Sequence, residues 1–273
     1  MQTQSHPSPA RQRTFPSVSL LQSVRKHRYD RYFSAAQDVH IFRGVYDSFE
    51  AAAASAPASK PLSYDNEAAA TMYNSRLRAD AYDYPAMFWL RQSFDEGMRS
   101  VFDVGGSVGI KYFAFRRLLD FPSDASWLVE DMPAVVQQGR AFAAGRDDAR
   151  CLRFTDRFND GDGAHVLLAS GSLQYLPNTL AELLAGLKQP PRRLIVNTTP
   201  IHVDRSFFTL NNIGTAFCPY RVQSRGEFLG AVTRAGYKLR DHWDNPGKGM
   251  RVPFVDGYDV SAYSGFCFDS IRA

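Results

Sequence analysis

Asp103-Val-Gly-Gly-Ser-Val-Gly109 is the stretch on which the reading of this chain turns. A β-prone run, Ser100-Val-Phe-Asp-Val104, leads into it and a helical pattern over 110–119 follows, so the glycines join a strand to a helix. Glycine has no Cβ, which lets the backbone turn sharply there and approach a ligand closely. Three readings of the loop compete. A nicotinamide loop, G-x-G-x-x-G, is met by Gly106 and Gly109, but Val104 stands where its first glycine belongs. A hydrolase nucleophile elbow, G-x-S-x-G, is matched by Gly105, Ser107 and Gly109. An S-adenosylmethionine loop, acid-x-G-x-G-x-G, is matched by Asp103, Gly105 and Gly109, with Ser107 replacing one glycine.

The next strand separates them. Trp127-Leu-Val ends in Glu130-Asp131, about twenty residues past Gly109, where an acid holds the ribose hydroxyls of a nucleoside. A hydrolase has no use for that acid, and no HGGG-type oxyanion segment precedes Ser107. Asp103 and the missing first glycine then favour S-adenosylmethionine over a nicotinamide. Asp103, Gly105, Gly106 and Gly109 are the loop's candidate ligand residues.

Outward from the loop, strands and helices alternate. Further strands are expected at 127–130, 151–154, 165–169 and 193–197, with helices at 133–144 and 179–187. Such alternation implies crossover connections and a mostly parallel, twisted, Rossmann-like α/β sheet. A helix at 224–235 and two runs at 236–240 and 263–268 follow, and the two runs suit an antiparallel pair closing that sheet. Upstream, helical patterns at 18–33, 49–56 and 67–90 predict a helical cap over 18–98, the second helix stopping at Pro57 and the third interrupted at Tyr82-Asp-Tyr84-Pro85. Residues 1–17, rich in Ser, Pro, Gln and Arg, predict a flexible arm, and residues 99–273 form the ligand-binding domain.

Composition narrows the function. With 44% hydrophobic and 22% charged residues, the chain of 273 can bury a sizeable core. The 32 basic and 28 acidic residues leave a net charge of only +4, and much of the excess sits in Arg11, Arg13, Arg25, Lys26, Arg28 and Arg31. A nucleic-acid binder would carry a basic stripe with interleaved aromatics across its fold. Cys151, Cys218 and Cys267 are odd in number and far apart, which excludes a disulfide framework, makes a metal site improbable and fits a reducing cytoplasm. No apolar stretch reaches the roughly 20 residues of a membrane span, and no secretory signal is visible. The expected partner is a small molecule, and a helical cap of this kind can also mediate a homodimer.

Three segments, Phe102–Gly109, Trp127-Leu-Val-Glu-Asp-Met-Pro-Ala-Val135 and Leu168-Ala-Ser-Gly-Ser-Leu-Gln-Tyr-Leu176, resemble a bacterial family of class I methyltransferases. Phe42-Arg-Gly-Val-Tyr46, the Tyr220 region and Gly236-Tyr237 are also similar, so the likeness spans about residues 40–268. It implies the class I methyltransferase fold. It also implies that Asp131, rather than Glu130, is the ribose acid beside Met132, and that Ser170, Gly171, Ser172 and Gln174 lie along the methionine half of the cofactor. Some members of that family methylate nothing: they cyclise S-adenosylmethionine, as substrate, to azetidine-2-carboxylate and release methylthioadenosine. The chain resembles these synthases at Tyr175 and at Asn197, where other members carry an acid followed by a basic residue.

The chemistry is coherent for those two residues. The face of Tyr175 can hold a sulfonium by cation–π attraction, worth up to about 2 kcal/mol when desolvated. The Asn197 amide oxygen accepts without titrating, so it can orient a neutral amine toward the γ-carbon, whereas an acid would favour the unreactive ammonium. Each has a plain structural alternative: packing for Tyr175, a turn cap before Pro200 for Asn197. Methyl transfer to a small natural-product precursor and a non-catalytic binding protein remain as rival functions. Tyr73, Tyr82 and Tyr84 are read as a lid or an aromatic core. Asn211, Asn212, Tyr220 and Arg221 are further candidates for the pocket, and His242 is read as structural.

Overall fold

The computed structural model describes residues 20–37, 40–63 and 77–271. In its N-terminal part lie α1 (Leu20–Ala35), β1 (Ile41–Tyr46), α2 (Phe49–Ala54) and α3 (Tyr84–Asp95). The central part holds β2 (Ser100–Val104), α4 (Ile110–Arg116), β3 (Ser126–Glu130), α5 (Pro133–Ala143), β4 (Leu152–Thr155) and β5 (Val166–Ser170). Then come α6 (Leu180–Ala185), β6 (Arg193–Thr199), β7 (Ile201–His202), β8 (Phe207–Asn212) and β9 (Phe217–Ser224). The chain closes with α7 (Arg225–Arg234), β10 (Tyr237–Asn245) and β11 (Tyr263–Ser270).

Seven strands form one sheet in the order β10-β11-β6-β5-β2-β3-β4. The five from β6 to β4 are parallel, and β11 and β10 add antiparallel at one edge. This is the class I methyltransferase fold, with the closing antiparallel pair where the sequence places it. Successive residues of the parallel strands feed opposite faces. Val101, Val166, Leu168 and Ile195 pack with Leu90, Phe94, Tyr112 and Val136. Phe102, Leu167, Ala169, Leu194 and Val196 pack with Leu180, Leu184, Phe228 and Val232 on the other side. Leu168 has no exposed surface, so Leu168→Ala is expected to destabilise the domain by about 2–5 kcal/mol in denaturant titration.

The N-terminal part departs from an all-helical cap. Phe42-Arg-Gly-Val-Tyr46 lies in β1, which pairs antiparallel with β8. A second, four-stranded sheet runs β1-β8-β9-β7, and its segment 201–224 carries no element in the sequence reading. Only Phe42 of β1 is fully buried, so the strand lacks the alternation that would announce it. Tyr82-Asp-Tyr84-Pro85 is a helix start rather than an interruption: Pro85 occupies the first turn of α3, where a missing N–H is harmless. The predicted arm at 1–17, Tyr73 and most of the upstream half of the 67–90 helix lie outside the described residues. No described helix is long and apolar enough to cross a membrane.

Candidate active site

From β2 the chain builds outward through β3 to β4, then returns to place β5 and β6 on the other side of β2. The reversal lies between β2 and β5, and ligands of such sheets bind outside the strand ends at that point. Two turns meet there. A Cβ on Gly105 would strike the Ser172 Cβ, and Ser172 Oγ donates to the Val104 carbonyl at 2.5 Å. Gly109, at φ 87°, caps α4. Ser107 and Thr198 also hold positive φ, 57° and 49°, on the loops after β2 and within the end of β6. Each costs about 1–3 kcal/mol for a residue with a side chain, and such strain gathers at ligand sites.

The acids flank the glycine loop. Asp103 is buried, and a Cβ on Gly106 would lie 2.5 Å from its Oδ2, so the carboxylate presses on the loop backbone. Trp127 Nε1 donates to it at 3.1 Å. Burial pushes the Asp103 pKa up to about 7, against the Trp127 hydrogen bond and the Lys111 charge. Asp131 Oδ2 accepts the Ser107 N–H and Oδ1 its neighbour Met132 N–H, both at 2.8 Å. The acid after β3 is thus tied across to the glycine loop, beside an exposed Met132. Burial, with the Asp131 charge behind it, pushes Glu130 up to about 7.

Across the crevice, Ser170 ends β5 in register with Asn197, and Gly171 turns the chain at φ 76° into a short 3₁₀ turn, Leu173–Tyr175. A Cβ on Gly171 would lie 3.0 Å from Thr198 Oγ1 and 4.0 Å from Gln174 Nε2, so the Gln174 amide folds back over the strand end. The second sheet lies directly on this turn. Tyr175 donates to Asn211 Oδ1 at 3.2 Å and packs edge-on against Tyr220, ring centroids 5.0 Å apart. Tyr220 and Tyr263 share a hydroxyl hydrogen bond of 2.8 Å. Asn212 faces elsewhere, donating to the Phe33 and Ala36 carbonyls, and the Arg221 guanidinium donates to Pro177.

Asn197 is fully buried and all four of its amide hydrogen bonds are made. Its Nδ2 donates to the Tyr82 carbonyl at 3.0 Å and Asp83 Oδ1 at 3.4 Å. Its Oδ1 accepts from Trp243 Nε1 at 3.0 Å and Asn245 Nδ2 at 3.4 Å. The oxygen that the sequence offers to an amine is therefore already taken by two donors. Behind Asn197, Lys111 of α4 grips both oxygens of buried Asp83 at 2.7 and 2.8 Å. Sequence reasoning missed this pair because 28 residues and a strand separate its members. It read His242 as structural and gave its neighbour Trp243 no role of its own. The signal for Trp243 is Gly265, whose missing Cβ lets the indole cross β11 to reach β6. Of the tyrosines, Tyr82 belongs to this network through its carbonyl, and Tyr84 is exposed.

Elsewhere, a cleft of about 530 Å³ lined by His202, Arg205, Arg251 and Phe254 shares no residue with this crevice. Among the described residues, no three His, Cys, Asp or Glu side chains stand together as a metal site.

The strand order defines a class I methyltransferase-type fold, and a glycine loop, a following acid and a facing turn meet at its sheet's reversal. No family model matches the chain, and no curated protein matches it in sequence. Solved structures resemble it. One is the 1,6-didemethyltoxoflavin-N1-methyltransferase of Burkholderia thailandensis, at 15% identity and TM-score 0.45 over 73% of this chain and 80% of that one. Another is the magnesium protoporphyrin IX methyltransferase of Synechocystis PCC 6803, at 13% identity and TM-score 0.45 over 68% and 77%. The mitomycin 7-O-methyltransferase is similar at 16% identity and TM-score 0.42, with 69% of this chain spanning about half, 54%, of that one. The fold assignment rests on the strand order and register of the chain itself.

Proposed function

We propose that this chain binds S-adenosylmethionine across the two turns and cyclises it to azetidine-2-carboxylate, releasing methylthioadenosine. Asp103, Gly105, Gly106 and Gly109 cradle the ligand, Asp131 takes the ribose hydroxyls beside Met132, and the turn from Ser170 to Gln174 lines the methionine half. The observation that carries the cyclase reading is the roof over that turn. Tyr175 and Tyr220, with Asn211, cover it with neutral amide and phenol contacts, and a cyclase needs that space closed to any separate methyl acceptor. An intramolecular reaction needs no second substrate.

In the reaction the neutral α-amine attacks the γ-carbon as the carbon–sulfur bond breaks. The bonding pair returns to sulfur, which leaves as the neutral thioether, and the product nitrogen carries the positive charge as a secondary ammonium. The ring-closing step needs no base, so its rate comes from holding the strained geometry. Tyr175 supplies a ring face for the sulfonium. Asn197 acts at one remove, fixing the Tyr82–Asp83 turn and Trp243 against the end of β6. The unpaired Cys151, Cys218 and Cys267 fit a reducing compartment such as the cytoplasm.

Incubation with S-adenosylmethionine alone is expected to yield methylthioadenosine and azetidine-2-carboxylate, resolved by mass-detected chromatography. Tyr175→Ala should weaken S-adenosylmethionine binding about 30-fold, the affinity equivalent of about 2 kcal/mol, and lower turnover at subsaturating substrate accordingly. Binding without turnover, followed by S-adenosylhomocysteine formation once a small-molecule acceptor is supplied, would establish methyl transfer instead.

A further inference from the structure

Four buried side-chain polar atoms among the described residues lack a hydrogen-bond partner, and two of them, Ser170 Oγ and Gln174 Oε1, lie on the turn that faces the glycine loop. A buried acceptor left unmade costs about 1–3 kcal/mol, so folds rarely keep one without use. Gln174 is the sharper case. The residue is 4% exposed, and its amide is held from the other end by a hydrogen bond to the Tyr220 hydroxyl, which leaves Oε1 as the open acceptor. Tyr220 is in turn fixed by Tyr263 and by the ring of Tyr175. The amide is thereby oriented before any ligand arrives.

We propose that Gln174 Oε1, assisted by Ser170 Oγ, accepts a hydrogen bond from the α-amine of bound S-adenosylmethionine and so sets the direction of the nitrogen lone pair. This inference rests on the cofactor reading above and names the nucleophile as an amine. The chemistry of the surroundings selects that class. An alcohol or phenol nucleophile must give its proton to a base. Gln174, Asn211, Tyr220 and Tyr263 are neutral groups, and burial holds both tyrosines protonated, with Tyr263 pushed up to about 12 and Tyr220 also well above its ordinary value. An uncharged amine already owns its lone pair and needs only an acceptor for one N–H. An amide oxygen provides that without stabilising the ammonium form, as a carboxylate would. Asn197 is not available for the task, since both lone-pair directions of its oxygen are filled by Trp243 and Asn245.

The test compares binding of S-adenosylmethionine with binding of its desamino analogue, in which hydrogen replaces the α-amine, by calorimetry. The wild type should prefer the amine-bearing ligand by about tenfold, and Gln174→Leu should lose that preference while keeping its affinity for the analogue. Gln174→Glu, which keeps the side chain's shape, should still bind S-adenosylmethionine but shift the turnover profile upward by about one pH unit, because the added carboxylate favours the ammonium. An undiminished preference in Gln174→Leu, or an unshifted profile in Gln174→Glu, overturns the proposal. Failure of the wild type to bind either S-adenosylmethionine or S-adenosylhomocysteine is a separate result that removes the cofactor reading itself.

Discussion

Asp131→Ala lowers affinity for S-adenosylhomocysteine by about 100-fold or more and abolishes turnover, as titration calorimetry and product chromatography are expected to show. The carboxylate has two tasks at this edge of the sheet. It accepts the Ser107 N–H, holding in place a loop residue at positive φ, and in the proposed function it is the charge-assisted acceptor for ribose hydroxyls. Losing both removes roughly 3 kcal/mol, which is the stated hundredfold. The fold itself should survive, because the Gly105 N–H still bonds the Glu130 carbonyl at 2.8 Å and Asp131 is only half-buried. Near-native affinity in the variant would show that ribose recognition lies elsewhere.

Lys111→Met is the substitution expected to cost most in stability among the polar residues of the crevice. Asp83 is 1% exposed at its side chain and Lys111 17%, so removing the ammonium strands a carboxylate that water scarcely reaches. Breaking a buried pair from one side typically destabilises by about 3–5 kcal/mol. For a domain of this size that lowers the thermal midpoint by roughly 6–15 °C, measured by circular dichroism. The double variant Asp83→Asn with Lys111→Met should recover much of the loss, since the amide still accepts the Asp80 N–H that Asp83 Oδ2 holds at 2.9 Å. A single-variant drop under about 2 °C would mean that the carboxylate stays hydrated.

The sheet was legible because its signals are local. Each parallel strand is a short apolar run such as Val166–Ala169, each helix a pattern of its own, and the loop between Val104 and Ile110 carries glycines that a tight strand-to-helix turn requires. The second sheet was not legible, for the opposite reason. β1 finds its partner β8 about 170 residues away, with Ile41 opposite Asn212, and β8 places Thr209, Asn211 and Asn212 in the interior. Buried amides read as surface in a sequence, since their hydrogen-bond partners are visible only in three dimensions. Asn197 illustrates the limit best. Its position at a strand end was readable, but its four partners come from an upstream turn and from β10, and they turn an exposed-looking reactive amide into a saturated joint.

Pro200 alone separates β6 from β7, and β9 passes into α7 with no residue between Ser224 and Arg225. The two sheets are therefore spliced, not linked. A hinge needs a few residues whose backbone angles can swing, and here one junction is a ring-locked proline while the other is a helix cap held by the Ser224 side chain. The 80–83 turn is joined to the sheet in another way, by side chains, Asn197 on Tyr82 and Lys111 on Asp83, rather than by a strand ladder. The second sheet is thus continuous with the first through the backbone, whereas that turn is fastened to it by single contacts.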